Sequence, residues 1–416
     1  MADLNRPPRW RRMLRFLLRA MAAGLFGMIP GGLVGLVLRD QLRVIAPLIY
    51  VPLVPLGAAA LVWDIAARGR GLPKWRFLLG AAGLVAIVAG VWTMTGGGAP
   101  AALDTSDAPG GTPITVLQWN VRWGGGGGGK DGKLARWDSI CRDIARHAPD
   151  IAILSECPSQ ERLAHLERTL APSWSTVRSE HDERARYLYR LVVASRWPVT
   201  LERESAIPSG RVMQAVVAAP GGDVRVLVVD GESHFRHDRT PRLHAVAQIM
   251  RDAEMSGAPI DLVAGDFNAV GRSVGFDAIA EAGFTSAGAI GRGWRGTWPS
   301  MLPLYDIDHV WVTNRWAITR VDPVANDATD HRGQVVRAMV RTVSGMVGRP
   351  FRSLGRKTEG GCVGCAPRSL ADASSPGLAT GATKEARRRG AIYSRDDRVP
   401  SVYSARDARP VTFPDD

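Results

Sequence analysis

Residues 259–268, Pro-Ile-Asp-Leu-Val-Ala-Gly-Asp-Phe-Asn, run from an apolar stretch into two polar side chains, Asp266 and Asn268. A short apolar run bounded by turn residues is the pattern of a strand buried on both faces. A carboxylate and an amide at its end belong at the rim of a core, not inside one. The same grammar recurs on both sides. Upstream, 114–121 (ITVLQWNV) closes on Asn120 and 151–156 (IAILSE) on Glu156, with further strands at 189–195, 211–218 and 223–230. Downstream, 306–313 (DIDHVWVT) carries Asp308 and His309, and 329–332 (TDHR) brings Asp330 and His331 ahead of a strand at 334–341. Between these, 134–147 (LARWDSICRDIARH) and 240–255 (TPRLHAVAQIMRDAEM) show the apolar spacing of helices packed on one face. Strands with interspersed helices over 113–342 predict a layered α/β domain with a sheet-rich core.

Taken singly, a carboxylate after an apolar strand is more often a turn or helix cap than a reactive group. Six strand-end groups, each leading into a loop, form a pattern, because strands of one sheet bring their ends together. Phosphoester cleavage needs what they offer. A hard divalent cation such as Mg²⁺ takes one or two carboxylates plus waters and substrate oxygens. Glu156 suits that role, with Asn120 and Asp330 as direct or water-mediated ligands. The ion neutralises charge on the phosphoryl oxygens and stabilises the leaving oxygen. Asp266 can orient or deprotonate the attacking water, and Asn268 can donate to a phosphate oxygen. His331 serves as acid/base or as a cationic clamp, with Asp308 behind it to fix its tautomer and raise its basicity.

The order N-V-R-W (120–123), S-E (155–156), S-R-W-P (195–198), G-D-F-N (265–268), I-D-H-V (307–310) and T-D-H-R (329–332) resembles the endonuclease/exonuclease/phosphatase superfamily. That group includes deoxyribonuclease I, abasic-site endonucleases, bacterial sphingomyelinases and inositol polyphosphate 5-phosphatases. The resemblance covers about 113–342 and implies a four-layer α/β sandwich of the deoxyribonuclease I type, with Mg²⁺- or Mn²⁺-dependent phosphoesterase activity. By motif position, Asn120 and Glu156 match the metal-site residues, Asp266 and Asn268 the nucleophile-orienting pair, and Asp308 with His331 the Asp–His pair. One departure concerns a further active-site histidine that many members place at the end of the strand before G-D-F-N. Here 224–229 (VRVLVV) runs into Asp230-Gly231-Glu232-Ser233-His234. Alignment by strand end puts Asp230 at that position; alignment by residue type picks His234.

The ends of the chain read differently. Three apolar stretches, about 20–38, 44–63 and 77–95, are each long enough as helices for a hydrocarbon core of roughly 30 Å. The Lys/Arg placement puts the N-terminus and the 64–76 loop in the cytoplasm and everything past 96 on the outer side. The organisation expected is a membrane segment at 1–96 and a flexible Gly- and Pro-rich linker at 97–112. The catalytic domain follows at 113–342, and a disordered basic tail at 343–416. Of the net charge of +13, residues 1–76 carry +9 and 341–416 carry +6, which leaves −2 for 77–340. Duplex-DNA binders show their basic surplus on the binding domain itself. The charge here suits topology signals and a membrane surface better. Cys362 and Cys365 form a lone C-x-x-C without the second half of a zinc site.

These readings converge on a membrane-tethered, divalent-metal-dependent phosphoester hydrolase (phosphodiesterase, nuclease or phosphatase). It is expected in the inner or plasma membrane, multi-pass, with its domain on the periplasmic or extracellular side. Its substrate is a lipid headgroup, a small phosphoester or a nucleic acid; nothing in the sequence calls for a protein partner or an organic cofactor. The competing class is a catalytically silent, membrane-anchored binding module on the same fold.

Overall fold

The computed structural model describes residues 9–67, 76–97, 111–127, 130–170, 174–179, 190–234 and 238–341. Nearly all of the expected linker, the whole tail with its C-x-x-C, and the loop at 68–75 lie outside the described residues.

The chain enters through three helices, α1 (Arg9–Leu38), α2 (Leu53–Ala67) and α3 (Arg76–Met94), with a 3₁₀ turn at Ala46–Tyr50 after α1. A short strand, β1 (Thr95–Gly97), follows. Then come β2 (Thr112–Asn120), α4 (Arg122–Gly125), α5 (Leu134–His147), β3 (Ile151–Ser155), α6 (Gln160–Leu170), β4 (Ser175–Arg178) and β5 (Val192–Ser195). The second half brings β6 (Val199–Ile207), β7 (Gly210–Val217), β8 (Val224–Gly231), α7 (Thr240–Met255), β9 (Leu262–Asp266) and α8 (Gly275–Glu281). It continues with β10 (Thr285–Ser286), α9 (Ala287–Ile290), β11 (Arg292–Trp294) and β12 (Asp308–Val312), and closes with β13 (Trp316–Val324) and β14 (Gly333–Val340). Two six-stranded sheets result, in the orders β13-β14-β2-β3-β5-β4 and β10-β12-β9-β8-β7-β6. Within them, β2 with β3 and β8 with β9 are parallel pairs.

Side-chain parity along the strands sorts the layers. Ile114 and Val116 of β2, Ile151 and Ile153 of β3, Val226 and Val228 of β8, Leu262 and Ala264 of β9, and Val310 and Val312 of β12 meet in one buried cluster between the sheets. Their neighbours one residue along point outward. Leu117 and Trp119 pack with Trp137, Ile140 and Ile144 of α5 and Leu166 of α6. Leu227, Val229 and Val263 pack with Leu243 and Val246 of α7 and Phe276 of α8. Helix, sheet, sheet, helix: this is the four-layer α/β sandwich that the motifs imply. The two helices read from apolar spacing, 134–147 and 240–255, form over the same residues. Strand β6, which reads VTLERESAI, gives no such signal because its charged residues face outward along a sheet edge.

Continuing the same parity one step past each apolar stretch is what makes a site. Gln118 and Asn120, Asp230, Asp266, Asp308 and Gln334 all fall on the inner face at the strand ends. In register, Asp266 lies opposite Asp308 on one side and Asp230 on the other. Close approach of β8 and β9 requires Gly265: it has φ 149°, and a Cβ there would sit 1.9 Å from the Val229 carbonyl oxygen. Gly265→Ala is therefore expected to cost on the order of 3 kcal/mol through backbone displacement, seen as a lowered melting temperature by circular dichroism.

The N-terminal helices depart from three equal spans. Only the windows Arg19–Leu38 and Phe77–Met94 are long and apolar enough to cross a membrane among the described helices. The stretch expected at 44–63 is broken: Pro47 and Pro52 lack the amide hydrogens a continuous helix needs, so a 3₁₀ turn forms and α2 starts at Leu53. Its 15 residues reach only about 22 Å at 1.5 Å per residue. It also carries Asp64, buried beside Gly80. The helices pack through small residues: a Cβ on Gly57 would lie 2.4 Å from the Gly83 carbonyl oxygen, a contact that brings α2 and α3 together backbone to backbone.

Candidate active site

Asp266 is the centre of the arrangement. Its carboxylate accepts from the Asn268 backbone N–H at 2.8 Å, the Asn120 amide at 2.9 Å and the Asn268 amide at 3.2 Å. Asn268 stands in the left-handed region with φ 45°, and its amide also donates to the Gly231 carbonyl at 2.6 Å. Glu156, Arg122 and Trp123 share that uncommon conformation, and all four line the same cavity. Backbone strain of this kind gathers at functional sites, where surrounding structure holds side chains in place.

Asp266 belongs to two carboxylate clusters at once. With Asp308 and His331 it forms one group, and with Glu156 and Asp230 another; within each group one ligand atom per residue lies within 4.8 Å of the others. His331 Nδ1 donates to Asp308 at 2.8 Å, and its Nε2 lies 3.8 Å from Asp266. Asp308 is itself held by the Gln118 amide at 3.1 Å. The Gln334 amide donates to its carbonyl at 2.7 Å.

Crowding of acids out of water sets the electrostatics. Burial, then the charge of Asp308, pushes Asp266 up to about 7, with His331 offsetting part of the rise. Glu156 is raised, first by burial. Asp230 is raised well above the usual carboxylate range by burial and then by Glu156 and Asp266. Burial works against a charge on His331, but Asp308 and Asp266 outweigh it and lift the imidazolium to about 10. This site wants positive charge. Hard oxygen donors within reach of one another fit Mg²⁺ or Mn²⁺ and not a soft metal.

The structure thus brings together Asn120, Glu156, Asp266, Asn268, Asp308 and His331. Asp330 stands at the rim of the cavity, 3.5 Å from Arg122 Nε, outside both clusters. His234 lies exposed beyond the end of β8 and does not line the cavity, while Asp230 occupies the strand-end position, buried. His309, next to Asp308, points to the other face: its Nε2 lies 2.8 Å from the Ala269 carbonyl and its ring packs on Phe276 at 4.6 Å. Burial holds its pKa down, as suits a neutral core histidine.

Several lining residues gave no sequence signal. Arg239 donates from Nε to the Asn268 carbonyl at 3.0 Å. Arg242, fully buried and not part of the lining, donates to the carbonyls of Ser209 at 2.8 Å and Glu232 at 3.1 Å. Trp298 and Tyr305 come from the stretch between β11 and β12, and Tyr50 from the 3₁₀ turn after α1. A cavity of about 860 Å³ opens over the carboxylates, large enough for a drug-sized ligand.

A four-layer sandwich with acids, amides and an Asp–His pair gathered at its strand ends defines the class of phosphoester hydrolases built on the deoxyribonuclease I-like fold. The profile of the endonuclease/exonuclease/phosphatase family matches residues 117–331, just over half of the chain. The chain belongs to that family and is a hydrolase. No curated protein matches it. Among solved structures, it is similar to an endonuclease/exonuclease/phosphatase from Beutenbergia cavernae at 19% identity, covering 55% of this chain and 72% of that one, with a TM-score of 0.41. The human Nocturnin catalytic domain, bound to sulfate, matches at 16% identity over 55% and 93% of the two chains, with a TM-score of 0.41. A mannosyl-6-phosphatase from Bacteroides thetaiotaomicron matches at 15% identity over 54% and 99%, with a TM-score of 0.43.

Proposed function

We propose that this chain hydrolyses phosphoester bonds in the cavity over Asp266 with the help of a divalent cation, while its helices hold it in a membrane with the catalytic sheets outside the cytoplasm. The observation that carries the reading is the double membership of Asp266, shared between the acidic trio and the His331–Asp308 pair. Glu156, Asp230 and Asp266 would hold Mg²⁺ or Mn²⁺, and the ion, when bound, offsets charge on the phosphoryl oxygens. Asn120 and Asn268 fix the Asp266 carboxylate so that it accepts a proton from the attacking water. His331, oriented by Asp308, gives a proton to the leaving oxygen. One water is consumed, the P–O bond to the leaving group breaks, and proton exchange with solvent returns both side chains to their starting states.

The membrane part rests on surface chemistry. Phe16, Val37, Phe77, Val88 and Trp92 are large apolar side chains left exposed on α1 and α3, an arrangement that calls for a hydrocarbon cover. The carbonyls of Leu36 near the end of α1 and Thr93 at the end of α3 accept hydrogen bonds from Arg272 and Arg295 of the catalytic domain. Both helix ends thus meet the catalytic domain, on the side that the Lys/Arg placement favours as the outer one.

The test uses the full chain in detergent with bis- and mono-p-nitrophenyl phosphate. Turnover in Mg²⁺ or Mn²⁺ is expected for wild type, with the diester-to-monoester ratio sorting phosphodiesterase from phosphatase. A folded protein silent on both, and on DNA and phospholipid, would turn the reading toward the binding module.

A further inference from the structure

Residues 39–52, which join α1 to α2, are built into the catalytic domain. Arg39 forks onto Asp277 at 2.7 and 2.9 Å and donates to the Ser273 carbonyl at 2.8 Å. Asp40 accepts from the Val274 N–H at 2.6 Å and from the Ser273 hydroxyl. Ile49 is buried against Val270 and Ile307, and Tyr50 lies beneath the Arg239 guanidinium at 5.2 Å. From the far end of the helices, β1 pairs with β11, and Arg295 donates to the Met94 carbonyl at 2.8 Å.

The connector consequently forms a wall of the reaction cavity. Asp40, Arg43, Ala46, Pro47 and Tyr50 line the same space as Glu156, Asp266 and His331. No hydrogen bond or ion pair joins Arg43 to another described residue. Its neighbours Leu42 and Val44 are 63% and 91% exposed. The turn between the lining residues Trp298 and Tyr305 carries Met301 and Leu302, 91% and 62% exposed. A cavity lined by charged side chains, whose lining segments also carry four exposed apolar residues, with an uncommitted guanidinium in its wall, suits the headgroup level of a bilayer. Arginine at that level is a natural partner for phosphate.

We infer that the connector is part of the substrate site, and that the substrate is a phosphoester carried by a lipid of the same membrane. Its phosphate enters past Arg43 while its chains stay beside the helices. The inference rests on the reading of the cavity as a phosphoester hydrolase and names its substrate class. The chemistry is the hydrolysis already described: water adds at phosphorus, the P–O bond to the lipid-borne or headgroup oxygen breaks, and that oxygen leaves protonated.

The test compares wild type, Arg43→Ala and Arg43→Lys, as full chains in phosphatidylcholine vesicles containing phosphatidylglycerol, phosphatidic acid or cardiolipin. Products are read by mass spectrometry, with bis-p-nitrophenyl phosphate as the soluble comparison. Turnover of at least one of these lipids is expected, falling about tenfold more than diester turnover in Arg43→Ala and largely recovered in Arg43→Lys. Hydrolysis of the diester with no lipid cleaved overturns the inference and leaves the proposed function standing. Lipid turnover indifferent to Arg43, or faster turnover of DNA or soluble sugar phosphates, also overturns it. Silence on every substrate ends both.

Discussion

His331→Ala is expected to lower kcat about 10³-fold on any phosphoester the chain cleaves, measured by initial rates at saturating substrate. The residue combines two roles that a substitution removes together. Its Nδ1 is tied to Asp308 at 2.8 Å, which fixes the ring, and its Nε2, 3.8 Å from Asp266, is the atom proposed to give a proton to the leaving oxygen. Its charge also matters to the fold. The ordinary value of 6.5 rises to about 10 in the folded chain, so the folded state binds the proton more tightly than the unfolded one. That stabilisation is complete below pH 6.5 and is lost as the pH climbs through 10. In His331→Ala, Asp308 and Asp266 face each other across β12 and β9 without a counter-charge. The variant is expected to melt lower than wild type at pH 7, with a smaller deficit when Mg²⁺ is present.

Divalent cations are expected to raise the melting temperature of the wild-type chain and EDTA to lower it. At a hundredfold excess over Kd the gain is about 2.7 kcal/mol, roughly 5–10 °C for a domain of this size. The cause is relief of the burial of charge, and then of the repulsion from Asp308, that together raise Asp266 from 3.8 to about 7. Its sign is the same as that of the histidine, since each group binds its proton more tightly in the folded chain than in the unfolded one. A carboxyl raised on folding favours the folded state while protonated, and that advantage is lost as the pH rises through 7. The cation must displace this proton, so the thermal shift given by Mg²⁺ is expected to be larger at pH 8 than at pH 6. Equal shifts at both values would show that Asp266 does not share the ion's site.

The site was legible in the sequence where one rule, period-two alternation, covered both fold and chemistry. Asp266 and Asp308 each extend an apolar inner face by one step, and Asn120 by two, past Gln118, so reading the strand also placed the side chain. The choice between Asp230 and His234 was not legible, because it turns on where β8 stops: the strand runs to Gly231, which places Asp230 opposite Asp266 and leaves His234 outside. Asp330 looked equivalent to its neighbours in sequence, yet it sits on the rim beside Arg122. The connector was invisible for a different reason. Arg39 meets Asp277 and Asp40 meets Ser273 across more than 200 residues of chain, and no local pattern encodes such contacts. In the helices, hydropathy marked the apolar stretch at 44–63 but passed over Pro47 and Pro52, which divide it.

The dependence of initial rate on Mg²⁺ concentration, with the full chain, bis-p-nitrophenyl phosphate and both wild type and Glu156→Gln, is the most direct test of a metal-assisted hydrolase at this cavity. The wild-type rate is expected to fall to the blank in EDTA and to rise saturably with Mg²⁺, while Glu156→Gln needs at least tenfold more of the ion or stays silent. Equal wild-type rates in EDTA and in Mg²⁺, or superimposable curves for the two proteins, would contradict the assignment of the acidic cluster to the chemistry.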